Sequence, residues 1–91
     1  MQASHSKDTE GIILGKAFGL ALRSIRQERG LSQESLGFES GYHRTYVSLL
    51  ERGQKSPSLQ TIFKLSKALR IELAELIKHV DSHANTLLQK K

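Results

Sequence analysis

The chain has 91 residues, of which 37% are hydrophobic, so it supports one small domain and leaves little room for a catalytic cleft. Its 14 lysines and arginines against 9 acidic residues give a net charge of +5, which suits a polyanionic partner such as nucleic acid. Without cysteine it has neither disulfides nor thiolate metal sites, and the apolar run from Ile12 to Leu14 is too short for a signal peptide or a membrane span. These features predict a soluble, cytoplasmic protein that is not an enzyme.

The N-terminal segment changes character after its tenth residue. Residues 1–10 are polar and lack periodicity, which predicts a disordered tail. Four apolar residues then recur at spacings of four, four and three, which is one face of a helix. They are Leu14, Phe18, Leu22 and Ile25. Gly30 fits the left-handed residue that commonly ends a helix, so the first helix should stop just before it.

Two short helices joined by a glycine turn are expected next. Ser32 can cap the first of them, with Glu34 in its first turn opposing the positive end of the helix dipole. Gly41 should close that helix after about eight residues, and the next should run from about His43 to Glu51. A helix packed across such a turn can place its outer face in the major groove of DNA.

Two further helices complete the prediction. The segment Ser56-Pro57-Ser58 marks the start of the fourth, because proline is tolerated in a first helical turn. The inward residues of the fourth helix are expected to be Leu59, Ile62, Phe63, Ser66 and Leu69. The fifth helix begins near Glu72, and its apolar face consists of Leu73, Leu76, Ile77 and Val80. No stretch alternates with period two, so the predicted fold class is all-α, with five helices.

The apolar pattern of the fifth helix continues into a C-terminal extension, residues 81–91. Ala84, Leu87 and Leu88 keep the same rhythm, although a core of this size should not need them. A long terminal helix with surplus leucines is a candidate dimer surface, and a frayed tail with incidental leucines is the alternative. The residues assigned to a dimer interface are Leu73, Leu76, Ile77, Val80, Leu87 and Leu88.

The third helix separates its residue types around its axis. With about 100 degrees per residue, one outer arc of about 140 degrees holds Arg44, Thr45, Ser48, Leu49 and Arg52. Arginine can donate to guanine, threonine to bases or phosphates, and leucine can contact a thymine methyl, so this arc suits the recognition of bases. The alternative is an ordinary solvated face. Such faces usually carry acidic residues, and here Glu51 lies only at the edge of the arc.

Polar residues on either side of the third helix are candidates for phosphate contacts. Ser32 and Gln33 begin the second helix, where backbone N–H groups and the helix dipole favour an anion. The loop after the third helix supplies further donors, namely Arg52, Gln54, Lys55 and Ser56. Contacts of this kind set position and affinity but carry no sequence information.

Four motifs together resemble the Cro/CI-type helix-turn-helix family of small transcriptional regulators. They are LRSIRQERGLSQESL, the turn SGY, VSLLERG and SPSLQTIFKLSKAL, and the match covers roughly residues 14 to 80. The resemblance implies a lambda-repressor-like fold of five helices for residues 11–80. In that fold the second helix crosses the DNA backbone and the third lies in the major groove.

The resemblance also implies roles for individual residues. Gln33 would bind phosphate, while Arg44 and Thr45 would contact bases. Further candidates for base contacts are Ser48 and Leu49. Family members pair an arginine of the first helix with the glutamate before the glycine that follows the third helix. Those positions hold Arg26 and Glu51 here, so this pair is expected to be structural rather than DNA-binding.

The segment HRTYVSLLERG is similar to the recognition helix of restriction–modification controller proteins, which are small homodimers that regulate their own promoter and the endonuclease gene. Three residues depart from the family pattern. Gly37 replaces the usual alanine, which weakens the second helix by up to about 1 kcal/mol. Tyr42 replaces a smaller apolar residue. His43 replaces the usual Ser, Thr or Asp cap, which leaves the helix start less well defined, and it can instead donate to a phosphate.

The residues and the resemblance together predict a homodimeric regulator, a repressor or autoregulator, that binds a palindromic operator in double-stranded DNA. RNA polymerase is a second candidate partner, and no membrane, metal or cofactor is expected. His79 and His83 have the spacing of a two-ligand metal site, but no third ligand is identifiable. The alternative is a protein-interaction module such as a toxin-binding antitoxin. Apolar residues on the outer arc would favour it, and Leu49 alone is apolar there.

Overall fold

The structure is a computed structural model that describes residues 4–89, with side chains described for residues 9–89. Five helices follow one another along the chain: α1 (Ser4–Glu28), α2 (Gln33–Ser40), α3 (Arg44–Glu51), α4 (Leu59–Ala68) and α5 (Leu73–Gln89). No strand occurs between residues 4 and 89. The predicted all-α fold with five helices is therefore confirmed.

All five helices contribute to one apolar core. Phe18, Leu22 and Ile25 of α1 are buried as their spacing predicts, whereas Leu14 is 56% exposed. The other large side chains that are fully buried come from α2 to α5 and the residue that follows α4: Leu36, Val47, Leu50, Leu65, Leu69 and Leu76. Burying a leucine contributes about 1.5–3 kcal/mol, so this cluster is the main source of stability.

The predicted inward face of α4 is wrong in part. The buried arc of this helix runs along Thr61, Leu65 and Leu69, while Leu59 and Phe63 are 71% and 46% exposed. These two residues lie about 120 degrees or more around the helix from the centre of that arc. The apolar spacing alone allowed either face to turn inward, and packing on α2 and α5 selects the arc centred on Leu65.

Serine caps define the starts of two helices. Ser32 Oγ accepts a hydrogen bond from the Ser35 N–H at 2.9 Å, as expected for the start of α2. Ser58 Oγ accepts from the Thr61 N–H at 3.1 Å and caps α4. Pro57 therefore precedes the cap instead of occupying the first turn. Gly41 ends α2 with a left-handed φ of 86°, as predicted.

Both terminal helices extend beyond the predicted bounds of the domain. The structure has helix from Ser4, contrary to the disordered tail predicted for residues 1–10, and residues 1–3 lie outside the described residues. The segment contains no proline, and lengthening an existing helix adds one hydrogen bond per residue without a new nucleation cost. The extension 81–91 is helical up to Gln89, and residues 90–91 lie outside the described residues.

The extension of α5 packs in part against its own protomer. Ala84 and Leu87 are partly buried against the core, which accounts for two of the three surplus apolar residues without a partner chain, whereas Leu88 is 57% exposed. Leu76 and Val80 are 0% and 5% exposed, because the core of the protomer uses both side chains. These two residues are therefore removed from the predicted dimer interface.

None of the helices in residues 4–89 has the length and apolar character needed to cross a bilayer.

Replacing Arg70 with glycine is expected to raise the free energy of unfolding by up to about 1 kcal/mol. Arg70 follows α4 with φ 59°, a left-handed conformation that strains residues with a Cβ. Urea denaturation measures the change. The control is Arg23→Gly, which places glycine inside α1 and should lower stability by a similar amount. A loss of stability in Arg70→Gly would contradict the strain argument.

Candidate nucleic-acid interface

Helix α3 presents a polar face to solvent and an apolar face to the core. The exposed side chains are those of Arg44, Thr45 and Arg52, of which Arg52 is the cap residue that follows α3. Ser48 and Leu49 are half-buried. On the opposite side Val47 and Leu50 are fully buried, as the sequence predicts. The orientation of the predicted outer arc is therefore confirmed. Two guanidinium groups, two hydroxyls and one leucine are available to a partner on this side.

A buried ion pair holds the end of α3 against α1. Arg26 Nε donates to Glu51 Oε2 at 2.6 Å and Arg26 Nη2 donates to Glu51 Oε1 at 3.0 Å. The two side chains are 10% and 3% exposed. Arg26 Nη1 also donates to the Leu31 carbonyl at 2.8 Å, so the same guanidinium binds the loop before α2. The predicted structural pair is confirmed, and its two-pronged geometry fixes the angle as well as the distance.

Gln33 belongs to the same cluster. Its Nε2 donates to Glu51 Oε1 at 3.0 Å, although the sequence assigned this side chain to phosphate alone. A carboxamide has two N–H donors, and the second remains able to reach a phosphate. A phosphate bound there would therefore contact a side chain that the buried pair of Arg26 and Glu51 already positions.

His43 caps α3, which corrects the expectation of a poorly defined helix start. Its Nδ1 accepts a hydrogen bond from the Thr45 N–H at 3.0 Å, and its backbone has the extended conformation of a cap residue, with φ −74° and ψ 148°. The acceptor must be an unprotonated nitrogen, so the neutral imidazole carries its proton on Nε2. That Nε2–H is the group that can donate to a phosphate.

The other side chains predicted to contact phosphate differ in whether they already form hydrogen bonds within the protein. Ser32 Oγ accepts from the Ser35 N–H and donates to Ser35 Oγ at 3.0 Å, so its hydroxyl is already used. Arg52 Nε lies 3.2 Å from Ser48 Oγ, which leaves its two terminal nitrogens for other partners. Lys55 and Ser56 are exposed in the loop between α3 and α4.

Glu34 is a neighbour of the polar face that the sequence argument missed. Its Oε1 lies 3.7 Å from Arg44 Nη1, with the side chains 76% and 63% exposed. The outer arc of α3 itself holds no acid, but the turn brings the first residues of α2 beside those of α3. An ion pair this exposed contributes little stability, so Arg44 can leave it for a stronger partner.

The helix-turn-helix geometry and the family comparison agree. Residues 22–76 match the family model described as Helix-turn-helix. The chain therefore belongs to this family as a Cro/CI-type, DNA-binding transcriptional regulator, which places it among regulators and not among enzymes. The predicted family is confirmed.

The chain is similar to restriction–modification controller proteins, as its recognition helix indicates. The control protein C.BamHI of Bacillus amyloliquefaciens is 46% identical over 61 residues, covering 66% of this chain and 75% of that protein. The crystal structure of the controller protein C.AhdI from Aeromonas hydrophila is 52% identical, with a TM-score of 0.66, over 68% of this chain and 94% of that one.

A third match concerns the fold alone. The controller protein C.Esp1396I, solved as a tetramer in complex with its natural 35 base-pair operator, is 24% identical, with a TM-score of 0.73. The match covers 78% of this chain and 93% of that one. The lambda-repressor-like, five-helix fold predicted from the sequence is confirmed by these likenesses.

Proposed function

We propose that this regulator binds a pseudo-palindromic operator as a homodimer, in the cytoplasm, and represses transcription from the promoter that it occupies. The observation that carries the proposal is the exposed polar face of α3, fixed to the domain by the buried pair of Arg26 and Glu51. A rigid helix with two arginines outward is suited to the major groove, where arginine reads guanine through O6 and N7.

The base contacts are assigned to the outer face of α3. Arg44 and Thr45 lie at its N-terminal end, the part of a recognition helix that enters the groove first. Ser48 and Leu49 lie one turn further along and are the next candidates. Thr45 can donate its hydroxyl to a base or a phosphate, whereas Leu49 can contact a thymine methyl.

Phosphate contacts are assigned to groups on both sides of α3. Gln33 and the His43 Nε2–H retain donors after their bonds within the protein are counted. The terminal nitrogens of Arg52 and the side chains of Lys55 and Ser56 lie beyond the other end of the helix. Ser32 contributes through its position at the start of α2, where backbone N–H groups attract an anion.

The homodimer is assigned to the exposed part of α5. Ile77 and Leu88 are 41% and 57% exposed, and Leu73 and Leu87 are half-buried beside them. The fold also occurs in a tetramer on DNA, that of C.Esp1396I, so it is compatible with assembly on an operator. A symmetric dimer presents two copies of α3, which explains why an inverted repeat is expected.

Two alternatives receive less support. A toxin-binding antitoxin would be expected to show apolar side chains on the outer face of α3, and Leu49 is half-buried there among polar groups. RNA polymerase is a second candidate partner, which would turn occupation of promoter DNA into activation. Repression needs only that the protein cover the promoter.

Selection of random double-stranded DNA by the purified protein, at about 150 mM salt, tests the proposal because this salt suppresses weak phosphate-only binding. We expect enrichment of an inverted repeat whose half-sites lie about one helical turn apart. If a protein shown to be folded by circular dichroism enriches no sequence, the DNA-binding proposal fails. The protein-interaction module then becomes the better interpretation.

Lys55→Ala is expected to weaken binding to every DNA sequence by the same factor. A lysine that neutralises one phosphate contributes about 0.9 to the slope of log K against log salt, so the slope should become shallower by about that amount. Fluorescence anisotropy over a salt series measures both quantities. Lys78→Ala, an exposed lysine of α5, is the control and should leave the slope unchanged. A loss confined to one sequence would contradict the phosphate role.

A further inference from the structure

The turn between α2 and α3 lies against the backbone of α2 at Gly37. The Tyr42 N–H donates to the Gly37 carbonyl at 2.8 Å. A Cβ added to Gly37 would lie 2.5 Å from the Tyr42 carbonyl oxygen and 3.3 Å from the Arg44 nitrogen. Because these neighbours are backbone atoms, alanine at position 37 would displace the turn and the start of α3. The glycine therefore permits a close approach, and its weak helix propensity is the cost of that approach.

The side chain of Tyr42 joins this turn to the start of α4. Its hydroxyl lies 2.9 Å from Thr61 Oγ1. Ser58 Oγ donates to the same Thr61 oxygen at 3.1 Å and accepts from the Thr61 N–H at 3.1 Å. Thr61 is 6% exposed, and Ser58 is the cap of α4. The phenol of Tyr42 is thus bonded to a buried side chain at the capped start of α4.

The ring of Tyr42 also contacts the recognition helix. Its centroid lies 5.1 Å from that of Tyr46 in α3, with the ring planes at 43°. Lys64 of α4 places its Nζ 5.7 Å from the Tyr42 centroid. One side chain therefore contacts α3 through its ring, and α4 through both its ring and its hydroxyl. A smaller apolar residue, which the family pattern has at this position, would make neither contact.

We propose that Tyr42 is a positioning residue for sequence discrimination, and that Gly37 admits it by letting the turn approach α2. This inference rests on the proposed function, because it concerns how α3 is held while it contacts bases. Arg44 and Thr45 lie two and three residues after Tyr42, so a shift of the turn moves both. Hydrogen bonds to base edges weaken steeply when distances or angles change, whereas attraction to phosphates tolerates small shifts. Losing the Tyr42–Thr61 bond should therefore impair discrimination and spare non-specific affinity.

The test compares Tyr42→Phe with the wild-type protein on two DNA duplexes of equal length, the selected operator and a random sequence. Phenylalanine keeps the ring contacts and removes the hydroxyl alone. The discrimination ratio is the dissociation constant for the random sequence divided by that for the operator. We expect this ratio to fall by about threefold to tenfold, the effect of about one hydrogen bond, with the affinity for the random sequence unchanged. Thr61→Val removes the same bond from the other side, together with the bond from Ser58 Oγ, and should also lower the ratio. The double variant should be no worse than the more affected single variant.

Thr86→Val is the matched control, since it removes a hydroxyl bonded to the Ser82 carbonyl at 3.2 Å on α5. It should leave the ratio unchanged. An unchanged ratio in Tyr42→Phe overturns the inference, even if its melting temperature falls, and so does an equal loss on both duplexes. If Tyr42→Phe does not fold, Thr61→Val decides by the same comparison. A wild-type protein that does not discriminate between the duplexes overturns the proposed function itself.

Discussion

Replacing Glu51 with alanine is expected to lower the free energy of unfolding by about 3–5 kcal/mol, because it leaves a buried guanidinium without its counter-charge. Arg26 is 10% exposed at its side chain and gives two donors to the Glu51 carboxylate, at 2.6 and 3.0 Å. Gln33 loses its acceptor at the same time. Since small domains have total stabilities of about 5–15 kcal/mol, this loss is a large fraction of the free energy that keeps the domain folded. Chemical denaturation followed by circular dichroism measures the loss.

The loss of stability should come from leaving one buried charge without its partner, and not from the absence of the ion pair itself. Arg26→Met combined with Glu51→Leu removes both charges and keeps apolar volume, so the double variant should be clearly more stable than Glu51→Ala. Glu39→Ala changes an exposed glutamate of α2 and should alter stability by no more than about 0.5 kcal/mol. A loss below about 1 kcal/mol in Glu51→Ala would show that the pair contributes no more than an exposed one.

Local sequence patterns predicted the recognition helix well. The separation of Arg44 and Thr45 from Val47 and Leu50 follows from helical geometry over eight residues, and the structure preserves it. The ion pair joins residues 25 positions apart, and no local pattern predicts it. It was expected only because both positions match a family motif. Periodicity therefore gave the orientation of the helix face, while family resemblance gave the long-range contact that holds it.

Contacts between different elements explain what the local sequence patterns leave out. Helix propensity counts Gly37 as a weakness of α2, since it considers only the helix that contains the residue. The carbonyl of Tyr42 is what excludes a Cβ at that position, and it comes from outside that helix. The apolar spacing of α4 allowed either of two faces to turn inward. Packing against α2 and α5 buries the face centred on Leu65 and leaves Leu59 and Phe63 exposed. His43 caps α3 through a ring nitrogen, which residue preferences for caps do not anticipate.

Arg44→Ala is expected to weaken binding to the selected operator by about 1–3 kcal/mol and to relax discrimination at one base pair of each half-site. The side chain is 63% exposed at the N-terminal end of α3, where it can donate two hydrogen bonds to one guanine. Its bond to Glu34 in the free protein is long and solvated, so leaving it costs little. Competition assays against operators that differ at single base pairs measure both the affinity and its dependence on sequence.

Glu34→Gln separates base recognition by Arg44 from its charge. This substitution removes the neighbouring carboxylate and keeps the arginine, so affinity for all sequences should rise slightly while discrimination at the base pair assigned to Arg44 is retained. Arg44→Ala should instead lose discrimination at that base pair, and the random-sequence affinity should fall by the smaller amount due to one positive charge. If Arg44→Ala weakens every sequence equally, as Lys55→Ala is expected to do, then Arg44 contacts the phosphate backbone. Base recognition must in that case be assigned to the other residues of the outer face, beginning with Thr45.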